Sequence, residues 1–273
     1  MTYFFIVLFI KSCYNFYMKK YILALDLDET LLNSKKEISA KTLNILQKCK
    51  QKGFIIAISS TRGYSSCTEI AKQIDADYVC CQSGNMIFDK SENIIFKNPF
   101  TRKQINDFFD IFLKYTDEIA LDSSNNLFGK ETDISKKWGV IPCSTKMLRE
   151  MEAFKICIMT NSTFEKQVKD YCNKNEFVCR PMREMPEMLL ITPSRSDKFF
   201  ALEKLLKIEN SDLEHLIVFG DDNSDILSIK NAKYGVAMAN SRQKVLNEAK
   251  FITLSNNEDG VAHFLNNTFL SSN

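Results

Sequence analysis

The chain has 273 residues, with 36 lysines and arginines against 34 acidic residues and a formal net charge of +2. That length fits one large domain or two ordinary ones. The near-neutral, scattered charge argues against a nucleic-acid partner or a membrane surface. Nine cysteines occur with only two histidines and no CxxC pair, poor material for a zinc site and consistent with reduced thiols in a cytoplasmic protein.

In chain order, the first feature is "YFFIVLFI" (3–10), which is apolar but much shorter than the roughly 20 residues that span a bilayer. It also lacks a basic leader region and a small-residue cleavage site. A second start-like "MKK" occurs at Met18, so residues 1–17 are expected to be an extension outside the fold. "YILAL" (21–25) reads as a buried strand. "SAKTLNILQKCKQKG" (39–53) reads as a helix, with Ser39 as N-cap, an apolar face of Leu43, Ile45 and Leu46, and Gly53 just past its end. "FIIAIS" (54–59), a helix through Ile70–Ile74 and "YVCC" (78–81) follow. Strands alternating with helices at this spacing argue for a parallel sheet with crossover helices.

The rhythm then changes. "MIFDKSENIIFKNPF" (86–100) reads as a hairpin turning near Lys90–Asn93, and Thr101 caps the helix that follows. "EIALDSS", "FKICIMT" and "EMLLIT" are further strands, with "TFEKQVKDYCNK" a helix between the last two. Regular alternation resumes with a helix over about 197–207, the strand "HLIVFG" (215–220), a short helix at Ile226–Asn231 and the strand "YGVAMA" (234–239). A helix around Arg242–Ala249, "FITLS" and a closing helix from "EDGVAHFL" complete the chain. The expected fold is α/β: a doubly wound, Rossmann-like parallel-sheet core over 18–84 and 190–273, interrupted by an inserted α+β cap over 85–189.

In open α/β sheets, ligands bind outside the carboxyl ends of the strands. There the sequence places Asp26 and Asp28, then Ser60, Thr61 and Arg62, then Asp221 with Asp225 a helical turn later, and Lys198 at the start of a helix. Taken singly, each has a bland reading: a turn-forming or capping aspartate, a loop hydroxyl, a solvated lysine, an arginine in a surface ion pair. Taken together and in this order, clustered carboxylates suit a hard divalent cation such as magnesium. A lysine, a hydroxyl and loop amides suit a phosphate. With a free carboxylate they point to phosphoryl transfer through an aspartyl-phosphate.

"DLDETLL" resembles the first motif of the haloacid dehalogenase superfamily, Asp-x-Asp-x-Thr/Val. "SSTRGY" is similar to its second motif, "SDKFFALEKLL" to the third and "FGDDNSDI" to the fourth. "GVAMANS" and "ITLSNNEDGVAHFL" resemble the tail of the Cof-like phosphatase branch, and the resemblance covers residues from about 18 to 268. It implies that Asp26 is the nucleophile and that Asp28 is the general acid and then the base. It implies magnesium held by Asp26, the Asp28 carbonyl and Asp221, with Asp225 completing the cluster directly or through water. Ser60 would bond the transferring phosphoryl group, with Thr61 and Arg62 beside it, and Lys198 would neutralise charge. An aspartate at position 28 favours an ester phosphatase, or a phosphomutase, over a transport ATPase. The implied substrate is a small phosphorylated metabolite, a sugar phosphate or nucleotide-like cofactor, turned over by a monomer or homodimer. A binding protein that keeps the fold without catalysis is the reading from another class. Thr61, Ser83, Arg195, Phe199 and Ser224 depart from the family pattern on the substrate side and around the metal. Phe108, Phe109 and Phe112 read as the core of a cap helix.

Overall fold

The computed structural model describes residues 19–123, 126–182 and 185–271. The extension expected over 1–17 lies outside the described residues. Two sheets organise the chain. The first half of the core runs β1 (Ile22–Leu25), α1 (Ala40–Gln51), β2 (Ile55–Ser59), α2 (Thr68–Gln73), β3 (Tyr78–Cys81) and the hairpin β4 (Met86–Asp89) and β5 (Ile94–Lys97). The inserted layer runs α3 (Arg102–Phe112), β6 (Ile119–Ser123), β7 (Asn126–Gly129), α4 (Asp133–Lys137), β8 (Ile141–Pro142), α5 (Thr145–Glu150), β9 (Lys155–Met159), α6 (Glu165–Lys174), β10 (Val178–Pro181) and β11 (Met188–Thr192). The core resumes with α7 (Lys198–Ile208), β12 (Leu216–Gly220), α8 (Ile226–Asn231), β13 (Tyr234–Ala237), α9 (Gln243–Glu248), β14 (Phe251–Ile252) and α10 (Gly260–Leu265).

The core sheet has the order β14-β13-β12-β1-β2-β3-β4-β5, parallel from β14 to β3 and antiparallel from β3 to β5. Its central strands β12, β1 and β2 are buried on both sides, which explains their unbroken apolar runs. Leu23, Leu25, Ile56 and Ile58 face one way, against Ile45 and Leu46 of α1 and Val261 and Leu265 of α10. Their neighbours Ile22, Ala24, Ile55 and Ala57 face the other way, against Leu202 and Leu205 of α7, Ile229 of α8 and Val245 of α9. Strand alternation therefore builds two apolar layers from one sequence.

The α1 signals hold in detail: the Ser39 hydroxyl accepts from the Thr42 amide at 3.0 Å, and Gly53 takes φ 85°. Thr101 caps α3 in a reciprocal pair with Gln104. In the inserted sheet, ordered β10-β11-β9-β6-β7-β8, Ile156, Ile158, Leu121, Leu189 and Ile191 share one face. The α3 phenylalanines Phe108, Phe109 and Phe112 pack on that face, as the core of the helix.

One boundary differs from the expectation. The change of rhythm places the hairpin at 86–97 in the cap, yet it extends the core sheet beside β3. Met86 and Phe88 bury into one core layer and Ile87 into the other, so the hairpin's alternation is satisfied only there. At the other end, β11 continues in the inserted sheet as far as Thr192, past the expected limit at 189.

Candidate active site

β1 is the turning point of the core sheet: β2 lies on one side and β12 on the other. Chains leaving the carboxyl ends of β1 and β12 diverge there and open a crevice. Asp26 caps β1, its amide donating to the Phe219 carbonyl at 3.2 Å, and Asp221 follows β12 directly. Lys198 reaches in from the first turn of α7, whose cap Asp197 accepts from the Phe200 amide at 2.8 Å.

These elements make a buried ionic centre. Lys198 Nζ lies 2.6 Å from Asp26 Oδ1 and 2.7 Å from Asp225 Oδ1, and the lysine is 3% exposed. The second oxygen of Asp225 accepts from the amides of Asp221 and Asp222 at 3.3 and 3.2 Å. Asp221 accepts from the Thr30 hydroxyl at 2.9 Å. Gly220 gives Asp225 its place: a Cβ there would stand 2.4 Å from the Asp225 carboxyl carbon.

Ligand oxygens of Asp26, Asp221 and Asp225 lie within 4.8 Å of one another. Burial pushes the Asp26 carboxyl up, to about 8, against the pull of Lys198, and the charge on Asp225 adds to the rise. Burial also raises Asp221, to about 6, against the hydrogen bond from Thr30. On Lys198, burial opposes the charge, but Asp225 and Asp26 outweigh it and hold the ammonium protonated above its ordinary range. Three carboxylates against one ammonium leave an excess of negative charge in a confined, all-oxygen site. That donor set fits a hard divalent cation.

Asp28 goes elsewhere. On an extended strand it would share a face with Asp26; its carboxylate takes cations of its own, and the chain turns just after it, at Glu29 (φ 55°). Arg62 grips Asp28 with two bonds, Nε to Oδ2 at 2.8 Å and Nη2 to Oδ1 at 2.6 Å, and Lys36 adds a third at 3.1 Å. Partial burial favours the neutral acid, but these cations outweigh it and hold the carboxyl below its ordinary range.

Ser60 is buried, and its hydroxyl accepts from the Arg62 amide at 3.2 Å. Thr61 is exposed on the wall of a cleft of about 730 Å³ between the strand ends and the inserted sheet. The Thr61 carbonyl accepts from Lys155 Nζ at 3.1 Å, and Gln82 Nε2 donates to Asp122 at 2.9 Å, so two polar contacts tie the layers together. The structure thus gathers Asp26, Asp221, Asp225 and Lys198 into one centre and pairs Asp28 with Arg62.

Residues not singled out from the sequence also shape the site. Asn85 is fully buried and accepts from the Ser196 hydroxyl at 2.6 Å and from Asn98 at 3.1 Å, pinning the approach to α7 onto the hairpin. Gly84 (φ 87°) permits this approach, because a Cβ would fall 1.9 Å from the Asp197 carbonyl oxygen. Arg195, one of the departures from the family pattern named from the sequence, occupies the left-handed region at φ 57°, where a glycine carries no strain. Such contacts join segments more than 100 residues apart, and no local pattern signals them.

A family model for haloacid dehalogenase-like hydrolases matches residues 23–265. The chain belongs to this family. It is a hydrolase of the phosphatase class. It is 26% identical over 244 residues to the 5-amino-6-(5-phospho-D-ribitylamino)uracil phosphatase YcsE of Bacillus subtilis, covering 88% of this chain and 92% of that one. Among solved structures, a hypothetical protein of Geobacillus kaustophilus HTA426 superposes with TM-score 0.81 at 20% identity, covering 92% of this chain and 99% of the other. A haloacid dehalogenase subclass IIB sugar phosphatase does so with TM-score 0.75 at 20% identity, covering 92% and 100%. Among the described residues, no helix is long and apolar enough to cross a membrane.

Proposed function

We propose that this hydrolase is a magnesium-dependent phosphatase that cleaves a small phosphorylated metabolite, a sugar phosphate or nucleotide-like compound, through an aspartyl-phosphate on Asp26. The observation that supports it most is Lys198 bridging buried Asp26 and Asp225, with Asp221 alongside. Magnesium held by Asp26 and Asp221, with Asp225 behind them, would supply positive charge to the phosphoryl oxygens.

Asp26 is the one buried carboxylate of the centre that directly follows β1, at the mouth of the crevice. Its free oxygen attacks phosphorus as the bond from phosphorus to the leaving oxygen breaks. Asp28 gives that oxygen a proton. Asp28 then removes a proton from water, which attacks phosphorus, breaks the bond to Asp26 and releases inorganic phosphate. Lys198 favours the anionic form of Asp26 against burial and holds it in position, and a bound cation would add to that effect.

The grip of Arg62 and Lys36 on Asp28 suits the second half of this sequence. An ionised, oriented carboxylate is ready to act as base. Donation of a proton in the first half requires the pair to loosen. Poor leaving groups therefore depend on Asp28 more than good ones.

The test is inorganic phosphate release from p-nitrophenyl phosphate with magnesium or with EDTA. Release that needs the metal and vanishes in Asp26→Asn supports the reading. Full activity of Asp26→Asn, or undiminished release in EDTA, refutes it.

A further inference from the structure

The cleft between the strand ends and the inserted sheet has a charge that no described residue balances. Three cations line it: Lys155, Arg180 and Arg242. Two bring their own counterions. Lys155 Nζ lies 3.5 Å from Asp122 and also donates to the Thr61 carbonyl, and Arg242 Nε lies 2.6 Å from Asp222. Arg180 is exposed and forms no hydrogen bond or ion pair with any described residue.

Its direction is fixed by the strand. Cys179 packs toward the apolar layer under the inserted sheet, so Val178 and Arg180, on either side of it, turn to the opposite face. Both line the cleft, as does Leu190, the register partner of Arg180 on β11. The guanidinium thus stands on the inserted layer's wall, across the cleft from Asn223 and Ser224 beside the acidic centre. A volume of about 730 Å³ accommodates a metabolite well beyond a bare phosphate.

We propose that Arg180 is a specificity-determining residue that binds a second anionic group, so that the preferred substrate is a phosphomonoester whose leaving group itself carries a carboxylate or phosphate. This rests on the phosphatase reading above and narrows its substrate class. A planar guanidinium accepts either group through paired N–H bonds. The apolar Val178 and Leu190 beside it shield that pairing from water and cover the carbon chain between the two anions. A neutral polyol phosphate leaves the guanidinium unmatched.

Affinity is measured by calorimetry with magnesium on the full-length Asp26→Asn protein, which binds without turning over. The first matched pair is 6-phosphogluconate against sorbitol 6-phosphate; the second is fructose 1,6-bisphosphate against fructose 6-phosphate. In at least one pair the anionic member is expected to bind about tenfold tighter or more, which corresponds to about 1.4 kcal/mol. The pair showing the gap identifies the second anion as carboxylate or phosphate. Arg180→Gln in the same background brings that ratio near one, and Arg180→Lys leaves it between. Equal affinities within both pairs, or a gap that survives Arg180→Gln, overturn the proposal. Wild-type p-nitrophenyl phosphate turnover is scored separately: its failure removes the phosphatase reading, while the affinity ratio still decides Arg180.

Discussion

Replacing Lys198 by methionine tests the ionic centre most directly. The substitution keeps an unbranched, flexible stem and removes the terminal ammonium with its charge and donors. Wild-type Lys198 is 3% exposed and serves two carboxylates at 2.6 and 2.7 Å. Without it, Asp26 and Asp225 stay buried with no cation between them. Removing one partner of a buried ion pair costs about 3–5 kcal/mol. At about 2–4 °C per kcal/mol, expected for a chain of this size, the melting temperature in EDTA falls by roughly 6–20 °C. Adding Asp225→Asn to Lys198→Met removes the stranded charge and restores part of that loss. Differential scanning calorimetry of the wild type, the single variant and the double variant reads all three values. A Lys198→Met protein that melts within about 2 °C of wild type would falsify the assignment of Lys198 as the charge that holds this centre together.

Other outcomes follow from the same geometry. Asp28→Asn should slow hydrolysis of alkyl phosphates by a factor on the order of 10²–10⁴, and of p-nitrophenyl phosphate far less in the first step, because nitrophenolate leaves without a proton; burst kinetics separates the two steps, and equal burst rates for both esters would refute the acid role. In EDTA, the folded protein holds protons on Asp26 and Asp221 that the unfolded chain releases near 3.8, so their contribution to stability is full below that value. It is lost as pH rises through about 6 and about 8, and magnesium, which displaces those protons, should raise the melting temperature more at the alkaline end; an equal magnesium effect across that range counts against the acidic cluster as its ligand set. Gly220→Ala forces a Cβ to 2.4 Å from the Asp225 carboxyl carbon, so phosphate release should drop at least about tenfold through displacement of Asp225 and Lys198, and a fully active variant would show that the centre tolerates the shift.

Much of the core was legible because its signals are local. A strand buried on both faces reads as an apolar run, as in "IIAIS", and a capped helix shows its cap, as Ser39 and Thr101 do. Ile226–Asn231 forms a helix over the expected residues. The short elements of the inserted layer, such as β7, β8 and β10, were not singled out, because strands of two to four residues carry too little periodicity. The hairpin at 86–97 is visible in the sequence, but the sheet it joins is not. Its alternation is the same in either place, and only the partner strand distinguishes them.

The acidic residues divide in the same way. The order Asp26, Lys198, Asp221, Asp225 along the chain, each beside a strand end or a helix start, was enough to gather them, because parallel strands bring their carboxyl ends to one edge. Sequence spacing also placed Asp28 on the face of Asp26, on the assumption that β1 continues. Which partner the Asp28 carboxylate takes is a different matter, because Arg62 comes from the end of a different strand. The sequence by itself determined which groups are available and at which edge of the sheet they collect. Tertiary structure decided which carboxylates share a cation and which is paired off, and that Arg180 faces the cleft with no counterion among the described residues. Those outcomes depend on distances between segments far apart in the chain, and electrostatic energies change steeply over the few ångströms that only the packed fold sets.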